Sequence, residues 1–576
     1  MKALISIIII LAFSLVGYVS TSQLAWERKS DDSEQLDQKF VKCTPAKFLL
    51  TDVDSTKQIS PLFDDLGDVS FSISTSNEMV QIFFDQGLKF AHAFNHAEAH
   101  RSFMEASRLD PNSAMTYWGQ AFVLGPNIND ELPSEERKVK CNEAITEAKR
   151  LMSTAKPKEQ ALIKALSARY SEDLTKDIKE LNMDYMNAMS GVVKEFPNDE
   201  NILILYAAAI MNTTPWNYWD KNGNPSPNIS EAKMSLELAM KINPNNAGAH
   251  HYYIHMVELV NPDLGVPSAE KLETLMPAAG HIVHMPSHIY IRVGRYKDAV
   301  ESNQAAILAD EDYISQCYSQ GLYPLGYYPH NIHFLWSAAS LLGDSGLAIE
   351  AAKKTAEKVP AGELIEMPFL QDFASTPLLA YARFGKWNEI LTIPAPNANI
   401  KHLGLIRHYA RGLAFIRKGN AFEAKEELEA IEILMQDPEL ENLIATPHNS
   451  SLSIAKIAYE VVAGELAALE GDLAGAIEHL ESAVIYEDQL VYTEPAAWHI
   501  PTRQNLGAIL VDAKQYTKAE QIYKEDLSEL RQNGWSLIGL YNVYMAQQKT
   551  HAAQKIKQEF DSAWKDADIE LINSIL

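Results

Sequence analysis

Residues 80–113 read VQIFFDQGLKFAHAFNHAEAHRSFMEASRLDPNS. The stretch is one amphipathic helix, a short turn and a second amphipathic helix. Counting Val80 as position 1, small residues stand at position 8 (Gly87), 20 (Ala99) and 27 (Ala106). They let the two helices approach closely. Bulky residues at position 11 (Phe90) and 24 (Phe103) fill the gaps that remain, and Pro111 at position 32 stops the second helix.

The same pattern recurs from about Met79 onward, and strand-like alternation is nearly absent. Units beginning at Gly280, Pro329, Leu405, Ile457 and Ile500 fall into the same frame. Gly294, Gly343, Gly419 and Gly471 stand at the turn, and Ala299, Ala348, Ala424, Ala476 and Ala519 at position 20. Weaker units are expected near 114–150, 158–197, 200–241, 247–277, 371–395 and 534–566. A period of 34 with these residue types resembles the tetratricopeptide repeat (TPR). The resemblance covers roughly residues 79–566 and implies an all-α helix-turn-helix superhelix, or solenoid, with a concave inner face. The expected organisation is a signal peptide over 1–22, an irregular leader over 23–75, and N-terminal repeats over 76–241. Histidine-rich central repeats follow over 242–395, then C-terminal repeats over 396–576. A Trp- and Pro-rich loop, 211–229, interrupts the first stack.

Composition narrows the function. With 76 Asp+Glu against 50 Lys+Arg the net charge is −26, which disfavours nucleic-acid binding and adsorption to an anionic membrane. Three separated cysteines (Cys43, Cys141, Cys317) provide neither a disulfide framework nor a cysteine zinc site. Residues 1–22, MKALISIIIILAFSLVGYVSTS, have the layout of a secretory signal: Lys2, an apolar run from Ala3 to Val16, then small residues. The apolar run is short of the roughly 20 residues that span a bilayer. The expectation is cleavage near residues 21–24, export, most simply to a periplasm, and no membrane span in the mature chain.

The chemistry lies in the histidines. Of 17, six fall within 250–288, where uniform scatter would put about one. His251, His255 and Glu258 are spaced i, i+4, i+7, on one helix face. His284 and His288 are i, i+4; His281 and His284 are i, i+3, as are His330 and His333. His281, His284 and His288 take positions 2, 5 and 9 of their unit, and His330 and His333 take positions 2 and 5 of the next. In the TPR family those positions point into the groove, so the resemblance implies convergence on one surface. His92 takes groove position 13, and His96 begins the second helix of the first unit.

Three readings of this cluster stand side by side. In one, His251, His255, Glu258, His281, His284, His288, His330 and His333 hold a transition metal (Zn, Cu, Ni or Fe), since neutral imidazole suits these ions and i, i+4 pairs can grip them. In the second, His92, His96, Trp216, Trp219, Tyr252, Tyr290 and Tyr327 line a groove for an organic ligand, peptide or sugar. In the third, the histidines are hydrogen-bonded core residues tying helices together. No GxSxG elbow, P-loop or GxGxxG is present.

The strings FNHAEAHRSFMEASRLDP, YWGQAFVLGPNIN, HHYYIHMVE, HMPSHIYIRVGRYKDA and NGWSLIGL are similar to those of a group of bacterial, mostly exported TPR proteins. That resemblance implies export and fold, and transfers no activity. Repeat solenoids mostly hold a partner on the concave face. The function expected is therefore a binding or scaffolding module of the cell envelope, taking a protein partner or small ligand, in either an envelope assembly or a nutrient or polysaccharide utilisation system. The alternative is a metal-dependent enzyme housed in the groove.

Overall fold

The computed structural model describes residues 57–220, 222–316 and 323–576. The signal peptide, Cys43 and Cys317 lie outside the described residues. Helices follow one another in antiparallel pairs, among them Glu78–His92 with His96–Leu109, Tyr328–Leu342 with Ser345–Glu357, and Thr502–Asp512 with Tyr516–Glu529. No helix among the described residues is long and apolar enough to cross a membrane.

The repeat frame is written in the backbone. Position 15 of eight units adopts the left-handed conformation: Phe94, Gly294, Gly343, Gly385, Gly419, Gly471, Lys514 and Gln548, with φ between 55° and 88°. This residue lets the first helix of a pair stop and the chain reverse. Packing obeys the frame too. A Cβ on Gly87 would meet the Phe103 ring at 2.7 Å, and one on Gly119 would meet it at 2.4 Å. Phe103 is thus clamped where only glycine admits an aromatic ring, and Ala99 and Ala106 beside it are fully buried.

The solenoid closes on itself. At the N-terminal side, Leu66, Val69, Phe71 and Ile73, from the part of the expected leader that is described, are buried in the core. The Ala278 N–H donates to the Asp65 carbonyl, and Tyr313 Oη donates to Glu98. At the C-terminal side, Trp535 Nε1 donates to the Ser340 carbonyl, Tyr296 Oη to the Arg531 carbonyl, and Ser345 N to Asp568 Oδ1. Both end stacks therefore pack against the middle repeats, and the groove between them becomes a cavity open on one side. The 211–229 loop separates nothing, for the helices it joins, Glu200–Met211 and Ile229–Ile242, form one packed pair.

Candidate metal centre

Four short helical segments carry the cluster. Ala247–Val257 brings His251 and His255, and Glu258 caps that helix. Gly280–His284 and Pro286–Val293 bring His281, His284 and His288, and Tyr328–Leu342 brings His330. Helical spacing puts the rings of each segment on one face, and the neighbouring units stack those faces together. The result is two groups of three imidazoles, His251–His255–His281 and His284–His288–His330, each with its ligand atoms within 4.8 Å of one another. All six rings are buried except His330, which is half-buried.

Hydrogen bonds set the tautomers. His251 Nδ1 donates to the His92 carbonyl at 2.6 Å, and His255 Nδ1 donates to Glu258 Oε1 at 3.1 Å. Their Nε2 atoms are buried without a hydrogen-bond partner, as are both ring nitrogens of His281. An imidazole whose Nδ1 carries the hydrogen presents a bare lone pair at Nε2, the form that binds a metal. His288 Nδ1 donates to the other oxygen of Glu258 at 2.7 Å. Glu258 therefore stands between the two groups and fixes one ring in each.

Charge follows from this. Burial pushes His251, His281, His284 and His330 well below the ordinary histidine range, with neighbouring rings adding to the effect. They are neutral at physiological pH, as ligands must be. Burial alone would raise Glu258, but the imidazoles of His288 and His255 and their hydrogen bonds bring it down to about 2. It is a carboxylate.

The cluster forms one wall of a cavity of about 610 Å³, to which His255, His281, His288 and His330 contribute. Trp216, Tyr327, Phe373 and Tyr492 supply flat apolar surface, while Asp130 and Glu494 are acidic groups at its edge. Burial raises Glu494 to about 7, and Tyr492 donates to it at 2.5 Å.

Some expected residues stand elsewhere. His333 is turned from the other rings; it stacks on Trp336 at 5.0 Å and lines a smaller neighbouring cavity of about 80 Å³. It shares a helix face with His330, but that face borders both cavities, and His333 lines the smaller one only. His92 and His96 are not in the cavity wall: the His92 ring packs over Gly248, and His96 stacks on Phe94. Tyr290 stands between helices, donating to Glu273 at 2.5 Å, as an interhelix position 11 dictates. Tyr252 packs beside His251, and Trp219 Nε1 is tied to the Met256 carbonyl, whereas Trp216 and Tyr327 do face the cavity.

Two features escaped the sequence reading. The connection holding Tyr492–Glu494 has no helical period to mark it. Phe94 did carry a signal, for it occupies the turn position that glycine fills in four clear units. Its ring lies 4.3 Å from His251 and 5.4 Å from His281. A bulky residue at φ 55° is strained by roughly 1–3 kcal/mol, and here it seats an aromatic floor under three imidazoles.

No protein-family model matches this chain, and no curated protein does. Solved structures of TPR-repeat proteins are similar in fold. The human IFIT1 dimer with m7Gppp-AAAA is 13% identical, with a TM-score of 0.34, covering 79% of this chain and 90% of that one. Yeast Tom70 is 12% identical, with a TM-score of 0.30, covering 76% and 90%. The Cut9–Hcn1 hetero-tetramer of the APC/C is 12% identical, with a TM-score of 0.27, covering 86% and 88%. With TM-scores below 0.5 these likenesses carry no argument; among the described residues the helix pairs and their recurring left-handed turns give a TPR-like solenoid.

Proposed function

We propose that this protein is an exported TPR-type solenoid that binds a transition-metal ion on His251, His255 and His281, with a small ligand from the cavity completing the coordination. One observation carries the reading: three buried imidazoles converge with four ring nitrogens that lack hydrogen-bond partners, and two of the rings have their tautomer fixed from behind. Leaving those nitrogens bare in the core costs free energy that an ion would recover. Three protein ligands beside an accessible cavity match a catalytic ion, which keeps one position open, better than a structural ion, which has four. There the metal would polarise a bound carbonyl or phosphoryl oxygen, or lower the pKa of a bound water. A repeat fold also offers outer surfaces to a protein partner, but the space behind the histidines has the size of a small-molecule site.

The test is a competition titration of the tag-free chain with Zn²⁺ against a chromophoric chelator. His281→Ala is expected to weaken the tightest site by more than about 100-fold, beyond the 10–100-fold typical of outer-sphere changes. An affinity unchanged by His281→Ala would overturn the assignment.

A further inference from the structure

The second group of rings has a geometry that neutral imidazoles alone do not explain. His284 Nε2 lies 2.9 Å from His288 Nε2 and 3.2 Å from His330 Nε2. The hydrogen on each ring can be located. Asn303 donates its side-chain nitrogen to the Ala299 carbonyl at 2.7 Å, so its oxygen is the atom facing His284 Nδ1, also at 2.7 Å. That oxygen only accepts, hence His284 Nδ1 carries the hydrogen. His288 Nδ1 carries one as well, because its partner, Glu258 Oε2, is a carboxylate oxygen. In the neutral rings both Nε2 atoms then present lone pairs to each other across 2.9 Å, with His330 Nε2 against them. Two facing lone pairs at this distance repel unless a positive centre lies between them. A proton is one candidate, and on His288 it would face the Glu258 carboxylate at 2.7 Å, but it can bridge only one pair of nitrogens. An ion bound by all three nitrogens satisfies every lone pair at once.

From this we infer that His284, His288 and His330 hold a second transition-metal ion, and that the protein carries a two-ion centre with Glu258 shared between the halves. The inference concerns residues other than those of the first ion, but it rests on the same reading of the cluster. Glu258 is the joint. Its Oε1 accepts from His255 of the first group and its Oε2 from His288 of the second. The halves also touch directly: the His255 and His288 rings lie 5.3 Å apart, and the His281 and His284 rings 5.7 Å apart. His281 and His255 on one side, and His288 and His330 on the other, line the same cavity. Two ions beside one cavity would suit a ligand with two oxygens, a phosphoryl or carboxylate group, which both could polarise. Four of the six rings have a fixed backing partner: the His92 carbonyl for His251, Glu258 for His255 and His288, and Asn303 for His284. That is the outer support usual for metal-bound histidine.

The experiment counts ions in the full, tag-free chain, stripped with chelator and equilibrated with Zn²⁺ at neutral pH, then freed of loose metal. Expected are two ions per chain in the wild type, one in His281→Ala, one in His330→Ala, and none tightly held in the double variant. Glu258→Gln should weaken both ions, each by roughly 10–100-fold. Circular dichroism checks that each variant is folded; His330→Gln replaces His330→Ala if the latter is not. Loading with Cu²⁺ gives a second readout, since neighbouring cupric ions couple and broaden the spin-resonance signal, whereas His330→Ala should restore an isolated-ion spectrum. One ion that is lost in His281→Ala but kept in His330→Ala overturns the second site and leaves the first standing. One ion lost in either variant overturns the pair in favour of a single ion shared by the whole cluster. No bound ion overturns both.

Discussion

Residues 84 and 103 in the first repeat, and 284 and 303 in the central one, occupy the same two places of the frame, positions 5 and 24. At the end of the solenoid they are Phe84 and Phe103, with ring centroids 5.3 Å apart. In the middle they are His284 and Asn303, joined by a 2.7 Å hydrogen bond. The repeat beginning at Ile500 matches the first at position 24: Tyr523 is closed in by Gly507 and Gly539 as Phe103 is by Gly87 and Gly119. One backbone plan thus serves two purposes. At the ends it packs an aromatic ring of position 24 between two glycines, and the frame is a stability device. In the centre the same contact orients an imidazole, and bare ring nitrogens converge, whereas His92 and His96 of the first repeat also have bare ring nitrogens but join no group of three. Such a departure from local consistency is where a functional site is expected.

The comparison breaks most readily at Phe103. Phe103→Ala should cost about 3–5 kcal/mol, because the glycines around the ring cannot fill the hole. Denaturant unfolding checks it, and a loss below about 1 kcal/mol would mean that the first repeat is not held by this contact.

The next effect concerns His100, a buried histidine of the first repeat outside either group of three. Burial lowers its pKa to about 4, with Arg137 adding to the effect. The unfolded chain takes up its proton near 6.5 while the folded chain resists until about 4. The wild type therefore loses stability as pH falls through that window, by about 3 kcal/mol in total for this group. His100→Gln should lack that slope. Equal pH dependence of the two proteins in urea unfolding would remove His100 from the account of acid lability. Metal should leave the His100 contribution unchanged while protecting the central rings.

A smaller effect is expected from making the centre resemble the end. Asn303→Leu strips His284 Nδ1 of its nearer acceptor, leaving only Ser287 Oγ at 3.3 Å, and should cost about 1–3 kcal/mol in the metal-free protein. Asn303→Asp keeps an acceptor and should bind metal better than Asn303→Leu. Reversal of that order in a Zn²⁺ titration would show that Asn303 does not orient the ring. The smallest effect is reserved for His281→Ala without metal. The ring has no hydrogen bond to lose and borders an open cavity, so thermal unfolding should register about 1 kcal/mol or less.

Much of this was legible in the sequence, for definite reasons. His251, His255, Glu258, His281, His284, His288 and His330 could be placed together because helical spacing sets a face and the repeat frame sets which faces meet. The turn glycines located the units, and position 24 located the packing aromatics. The closure of the solenoid was not legible. It depends on contacts such as Trp535 with the Ser340 carbonyl, 195 residues apart in sequence, which no local period encodes. For the same reason the Tyr492–Glu494 connection could not be assigned to the cavity. His333 shows the limit of the frame itself: position 5 faces the inner surface, but that surface is divided between two cavities.

The central claim is that imidazole nitrogens of the middle repeats bind a metal directly. X-ray absorption at the zinc edge of the Zn²⁺-loaded, tag-free protein tests it most directly. Expected is a first shell at ~2.0–2.1 Å with the outer-shell scattering of about three imidazoles per ion, lost in part in His281→Ala. A shell of oxygen alone, with no imidazole scattering, would contradict it.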